Sequence, residues 1–219
     1  MPKKKLFMLF IETFVFNPFQ ENTYVVYDET NECVVIDCAC YNSAEEQKLV
    51  AFIEHKQLKV VHSICTHGHV DHILGTGVLY DKYTLAPKLH KADKCLQESA
   101  EEYGQMFGLS IKELPPFDFS LSENEAIAFG NSRFAVFHIP GHSPGHVVFY
   151  NKESHTLFAG DVLFKRSIGR SDLPGGNHEL LINGIKNKLL PLPDETIVLS
   201  GHGANTTIGS EKKHNIFLK

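Results

Sequence analysis

A chain of 219 residues with 42% hydrophobic and 21% charged side chains has ample material for a packed core and lacks the composition of a disordered segment. Its formal net charge of -5, with Lys3 to Lys5 as the longest basic run, argues against nucleic acid as a partner. No apolar stretch is long enough to cross a bilayer, so no membrane partner is expected.

Lys3 to Lys5 precede the apolar run Leu6 to Ile11, an arrangement that superficially copies a secretory signal. Glu12 and Thr13 interrupt the run and no small-residue cleavage site follows, so the segment reads as a first strand behind a short basic leader. Cys33, Cys38, Cys40, Cys65 and Cys95 are odd in number, and four fall in or beside apolar segments. Buried free thiols in a reducing cytoplasm explain them better than a disulfide framework. Cys38-Ala39-Cys40 has neither zinc-knuckle nor Cys-x-x-Cys spacing and reads as structural.

Residues 14–16, 22–27 and 33–37 form a meander of three expected strands, with turns at Asn17-Pro18 and Asp28 to Glu32. Ser43 followed by Glu46 gives a capping box, and Leu49, Val50, Phe52 and Ile53 then supply a helical stripe to His55. Residues 59–66 return to strand, which completes a βαβ unit and points to layered α/β architecture.

That strand delivers Thr66-His67-Gly68-His69-Val70-Asp71-His72, a loop expected to lead into a helix from Asp71 to about Tyr80. Neutral imidazoles and carboxylates so dense suit zinc, iron or manganese, and no single side chain satisfies such an ion. In extended chain, His67 and His69 grip from one side, while Asp71 and His72 at the helix start turn toward a second ion. Beyond it, a short strand is expected near Thr84 to Ala86 and a helix from about Ala92 to Phe107. Residues 108–119, with Pro115-Pro116, read as loop, and the large aromatics beside it either cap a pocket or form a core stripe.

Residues 126–129, 133–139, 147–150 and 156–159 give a second set of short strands, and Ile197-Val198-Leu199 is one more. Two strand-rich halves, each ending in a helix, imply two sheets packed face to face with helices outside. His142, Asp161 and His202 each lie just past an apolar strand and beside a glycine, where backbone approaches a site closely.

The His67 to His72 stretch, with Pro140-Gly141-His142-Ser143-Pro144-Gly145-His146, Phe158-Ala159-Gly160-Asp161 and Ser200-Gly201-His202-Gly203, resembles the ordered metal motifs of the metallo-β-lactamase fold superfamily. Asn17 to Tyr24, Gly160 to Phe164 and Gly169 to Asp172 are most similar to its small, glyoxalase II-like hydrolases. The resemblance runs from about Thr13 to Leu218 and implies a four-layer αβ/βα sandwich with metals at one edge. No low-complexity linker divides the chain, so residues 1–219 read as one domain.

The resemblance assigns His67, His69 and His142 to one metal, Asp71, His72 and His202 to a second, and Asp161 to both. Asp37 matches a position whose acid holds the ligand loops by hydrogen bonds. His146 reads as such a supporting residue or as a packed core histidine. Arg170 either neutralises a substrate carboxylate or, the preferred reading, is one half of a buried ion pair holding the loop. Lys165 and Arg166 are better placed to touch substrate, with exposed charge as their default. Glu211, Lys212, Lys213 and His214 read as a solvated face.

Two divalent ions, zinc by preference with iron or manganese as alternatives, would leave a net charge of about +1 once Asp71, Asp161 and a hydroxide are counted. That favours an anionic small-molecule substrate and thioester hydrolysis of the hydroxyacylglutathione kind, with Asp71 as the catalytic residue that orients the nucleophile and accepts its proton. The persulfide dioxygenases resemble the chain too, with His67, His142 and Asp161 as a facial triad on one ferrous ion. Only 17 residues follow His202, so the C-terminal helices that hold glutathione in two-domain glyoxalase II enzymes have no counterpart, and weak discrimination for the tripeptide is expected.

Overall fold

A computed structural model describes residues 8–219. The basic leader at Lys3 to Lys5 and the start of the apolar run at Leu6 lie outside the described residues.

Strands β1 (Phe10–Phe16), β2 (Glu21–Tyr27) and β3 (Glu32–Ile36) form the expected antiparallel meander. Helix α1 (Ser43–His55) then crosses to β4 (Lys59–Ile64), which pairs parallel with β3. The cap of α1 is Asn42 rather than the expected Ser43, because the Asn42 side chain accepts from the Ala44 and Glu45 N–H groups. Leu49 and Ile53 are the buried stripe.

The helix expected from Asp71 is broken into α2 (Val70–Ile73) and α3 (Thr76–Tyr83). The break is at Gly75, whose N–H donates to Cys38 O at 2.9 Å and where a Cβ would come within 2.5 Å of the Cys40 nitrogen. Thr84 closes α3 in the left-handed region, so strand β5 (Lys88–His90) begins past Pro87 rather than at Thr84. The next expected helix is likewise two pieces, α4 (Lys94–Glu98) and α5 (Ala100–Met106), divided at Ser99. The loop ends earlier than expected, in β6 (Asp118–Leu121), which completes a six-stranded sheet in the order β1 to β6.

The second sheet holds β7 (Ala126–Phe129), β8 (Ser132–His138), β9 (Val147–Asn151) and β10 (Thr156–Gly160). A two-stranded ribbon of β11 (Leu163–Phe164) and β12 (Ser167–Ile168) follows. Helix α6 (His178–Gly184) with a π-helical extension, Ile185–Leu189, then leads to β13 (Ile197–Ser200), β14 (Thr206–Thr207) and α7 (Ile208–His214). The sheet order is β14-β13-β10-β9-β8-β7.

Side chains alternate between layers as a period of two demands. Val34 and Ile36 meet Phe149 and Phe158 between the sheets, Cys33 and Val35 face the layer of α1, and Val148 packs outward with Leu181 and Ile185 of the α6 region. The architecture is therefore the αβ/βα sandwich. Removing one of the large inter-sheet side chains, such as Phe149, would cost about 3 to 5 kcal/mol. The ends of β4, β10 and β13 open on the same edge, where Tyr24 Oη donates to Ser200 O across the sheets at 2.6 Å. Among the described residues no helix is long and apolar enough to cross a membrane. Cys33, Cys38, Cys40 and Cys65 are buried free thiols, whereas Cys95 is exposed.

Candidate metal centre

Four loops meet at this edge, and they bring together all seven side chains singled out in the sequence. His67, His69 and His142 offer nitrogens within 4.8 Å of one another, as do the ligand atoms of Asp71, His72 and His202, and Asp161 groups with His67 and His72. His142 Nε2 lies 2.9 Å from His69 Nδ1, and His202 Nε2 lies 3.2 Å from Asp71 Oδ2. Asp161 sits between the groups, with Oδ1 at 3.5 Å from His72 Nε2 and Oδ2 at 3.6 Å from His142 Nε2 and 3.7 Å from His202 Nε2. Gly201 makes room for this, since a Cβ there would fall 2.3 Å from Asp161 Oδ1.

The donor set fits divalent metal ions on an observation of its own. His67 Nε2, His72 Nε2 and Asp161 Oδ1 are buried, point into one space and have no hydrogen-bond partner. Buried polar atoms are normally satisfied, and orphans this clustered are what ligands look like with the ion removed.

The far side of four of the five rings is held. His67 Nδ1 meets Thr66 Oγ1 at 3.0 Å, His142 Nδ1 meets Arg170 O at 2.8 Å and His202 Nδ1 meets Phe19 O at 3.0 Å. His72 Nδ1 meets Asp37 Oδ2 at 3.1 Å, with Glu21 Oε1 at 3.6 Å behind it. Such contacts fix the tautomer and the ring direction. Asp37 also accepts from Thr66 N at 2.6 Å and Thr66 Oγ1 at 2.7 Å, so it does hold the ligand loop.

Electrostatics follows from burial and from the acids. Burial pushes His67 well below the ordinary imidazole range and His69 down to about 3, which leaves both neutral and ready to ligate. At His72 burial also favours the neutral ring, but Asp161 and Asp71 outweigh it and raise the group. His202 is raised as well, burial being overcome by its hydrogen bond to Asp71 and the charge of Asp161. For Asp161, burial is overcome by His72 and His142, and its carboxyl is held well below the usual range.

Two supporting residues, Asp93 and Asn17, hold the site in ways that sequence reasoning missed. Asp93, fully buried, accepts from Gly68 N at 3.0 Å and Ser143 Oγ at 2.6 Å and takes Gly145 N as well, tying the His67 loop to the His142 loop. Asn17 donates to Asp71 O at 2.9 Å and Ala39 O at 3.2 Å, and the adjoining chain carries the Phe19 carbonyl to His202. His146 is a supporting residue rather than mere core: its Nε2 accepts from Asp161 N at 3.0 Å, and its ring stacks on His67 at 4.6 Å.

Three expectations are corrected. Arg170 forms no buried pair; it grips Asp172 in the open, at 2.9 and 2.8 Å, with both side chains mostly exposed. Lys165 and Arg166 are exposed and do not line the cleft, because the β11–β12 ribbon turns there and Arg166 N donates to Glu211 at 2.8 Å. Glu211 is itself fully buried, held by Thr206 and by Asn215 at 2.9 Å, so it is not part of a solvated face.

A cleft of about 220 Å³, open to solvent, leads to the cluster and is lined by His69, Asp71, His142 and Asp161 at its floor. Tyr103 and Phe107 belong to its walls, which settles the pocket-or-core question at the end of α5 in favour of a pocket.

The family model of the metallo-beta-lactamase superfamily matches residues 16–202. The chain belongs to that superfamily. Hydroxyacylglutathione hydrolase GloC of Haemophilus influenzae is 38% identical over 210 residues, which span 95% of this chain and 97% of that protein. The crystal structure of BLEG-1, a B3 metallo-beta-lactamase, superposes with a TM-score of 0.85 at 38% identity, covering 96% of this chain and all of that one. TTHA1623 in a di-iron-bound form gives 0.83 at 39% identity, over 95% of this chain and all of its own. As a superfamily member with this His/Asp cluster, the chain is a metal-dependent enzyme.

Proposed function

We propose that the protein hydrolyses thioesters of the hydroxyacylglutathione type at a two-metal site. The observation that carries the reading is the convergence of two three-residue ligand groups on either side of Asp161, with unpartnered ligand atoms in both. His67, His69 and His142 would hold one ion, Asp71, His72 and His202 the other, and Asp161 both. Zinc suits this mixed nitrogen and oxygen set, and iron and manganese suit it also. The ions would supply a low-pKa water and polarise the thioester carbonyl.

The chain's own residues do the rest. Asp71 lines the cleft and lies against His202, where its carboxylate orients the attacking water and takes its proton. His69 and His142 frame the opposite side of the floor. The water oxygen bonds to the acyl carbon, the carbon–sulfur bond breaks, and the thiol leaves as thiolate to be protonated by solvent. Because a thiolate leaves readily, no strong general acid is needed. The substrate is a small molecule rather than nucleic acid or membrane, and the net charge of -5 argues against a polyanionic partner. Four buried free thiols support a reducing, cytoplasmic setting.

Steady-state hydrolysis of S-lactoylglutathione by the metal-loaded protein tests the reading. Slow but metal-dependent turnover, abolished by chelation and restored by zinc, is the expected result. Oxygen uptake on glutathione persulfide without thioester cleavage would replace it with the dioxygenase reading.

A further inference from the structure

Above the floor, the walls of the cleft are Phe19, Val70, Leu96, Tyr103, Phe107 and Leu173. Phe107 packs edge-on to Phe19 with ring centroids 5.4 Å apart. Yet it is 60% exposed, and its neighbour Met106 is 72% exposed. Large apolar side chains held at a mouth in this way are stabilised when something apolar covers them.

The charges point the same way. Glutathione carries two carboxylates and an ammonium, and a site for it needs unpaired partners. Arg170 is the one Lys or Arg among the described cleft-lining residues, and Asp172 already holds its guanidinium in a two-point ion pair. Lys165 and Arg166 are turned out of the cleft, and Lys212 is bound to Asp194 at 2.5 Å. A charged tripeptide would give up water without recovering comparable contacts, whereas an alkyl or arylalkyl group would exchange water for the walls.

Resting on the thioesterase reading, we infer that the preferred substrates are thioesters bearing an apolar alkyl or arylalkyl group, which lies along α4 and α5 from the ligand cluster to Phe107. The apolar group can enter from the acyl side or from the thiol side of the scissile bond. The chemistry recognised is the same.

The experiment uses the full-length, metal-loaded protein and neutral N-acetylcysteamine thioesters. One arm varies the acyl group through lactoyl, butanoyl, hexanoyl and phenylacetyl. A second keeps acetyl and replaces N-acetylcysteamine by benzyl mercaptan. A third places hexanoyl on glutathione. Expected is a rise in kcat/KM of about threefold per added methylene along the acyl series, or of about tenfold on the change to benzyl mercaptan, with no gain from glutathione. Phe107→Ser, at an exposed position that the fold tolerates, should cut the ratio of apolar to lactoyl turnover by about tenfold. Calorimetric titration of the inert thioether S-hexyl-N-acetylcysteamine against its S-methyl counterpart, on the metal-loaded protein, reads the cleft without catalysis. The S-hexyl compound should bind at least about tenfold tighter. Flat rates along both series, equal binding of the two thioethers, or a tenfold gain from glutathione would overturn the inference. Tighter S-hexyl binding with no thioester turnover by protein of verified metal content would sink the thioesterase reading and leave the apolar cleft standing. Turnover with lactoyl preferred would do the reverse.

Discussion

Around the ligand cluster, His67, His72, His142 and His202 each have the nitrogen away from the centre held by a hydroxyl, a carboxylate or a backbone carbonyl. Along the neighbouring cleft wall, Phe107 meets Phe19 ring against ring at a right angle. Buried hydrogen bonds set direction, whereas apolar packing sets shape with looser tolerance. The difference teaches that the reacting geometry is over-determined by the fold, while substrate selection rests on side chains that can be exchanged without disturbing it.

The largest effect expected on the polar side comes from Asp161→Ala. Asp161 is the one member facing both ligand groups, so its loss should lower turnover at least about a hundredfold and deplete both metals. Asp71→Ala or His202→Ala should cost less and deplete one. Rate and metal content measured together decide it, and a variant that keeps two metals and normal turnover would show that Asp161 does not bridge.

Asn17→Ala probes a residue further out. Its amide holds the Asp71 backbone and the Ala39 carbonyl, and removing it should weaken one of two metals by about tenfold while the other stays bound. Competition with a chromophoric chelator resolves the two affinities. Equal weakening of both would mean that Asn17 supports the fold as a whole.

His67, His69, Asp71 and His72 could be recognised from their density between a strand and a helix, whereas His142, Asp161 and His202, each past a strand and beside a glycine, were assigned only through the family resemblance. What surrounds them could not be recognised. Asp93 lies in Lys91-Ala92-Asp93-Lys94, which reads as ordinary surface charge, and its partners Gly68, Ser143 and Gly145 are 25 to 52 residues away. Glu211 misled for the same reason, being followed by two lysines and buried through contacts to Thr206 and Arg166. The meander, the βαβ unit and the two facing sheets followed from periodicity, whereas the order of the strands within each sheet did not. The breaks at Gly75 and Ser99 did not, since helical apolar spacing continues across them.

A smaller effect concerns stability outside the cluster. His90 stacks on His138 at 4.3 Å and accepts from Ala92 N, with Lys91 and Glu123 nearby. Burial, helped by His138 and Lys91, lowers His90 to about 4. The unfolded chain therefore binds the extra proton between about pH 6.5 and 4, and the stability present above that window is lost as the pH falls through it. His90→Asn should reduce this acid loss by about 1 kcal/mol after allowance for solvent screening. Urea unfolding of both proteins at pH 7 and pH 4.5 checks the sign. A steeper loss in the variant would contradict it.

The most direct test of the account is the metal stoichiometry of carefully loaded protein, read by elemental analysis beside its thioesterase rate. Close to two transition-metal ions per chain, with activity rising as the second is bound, is the predicted result. One tightly bound iron per chain, with oxygen consumed on glutathione persulfide and no thioester cleaved, would contradict it.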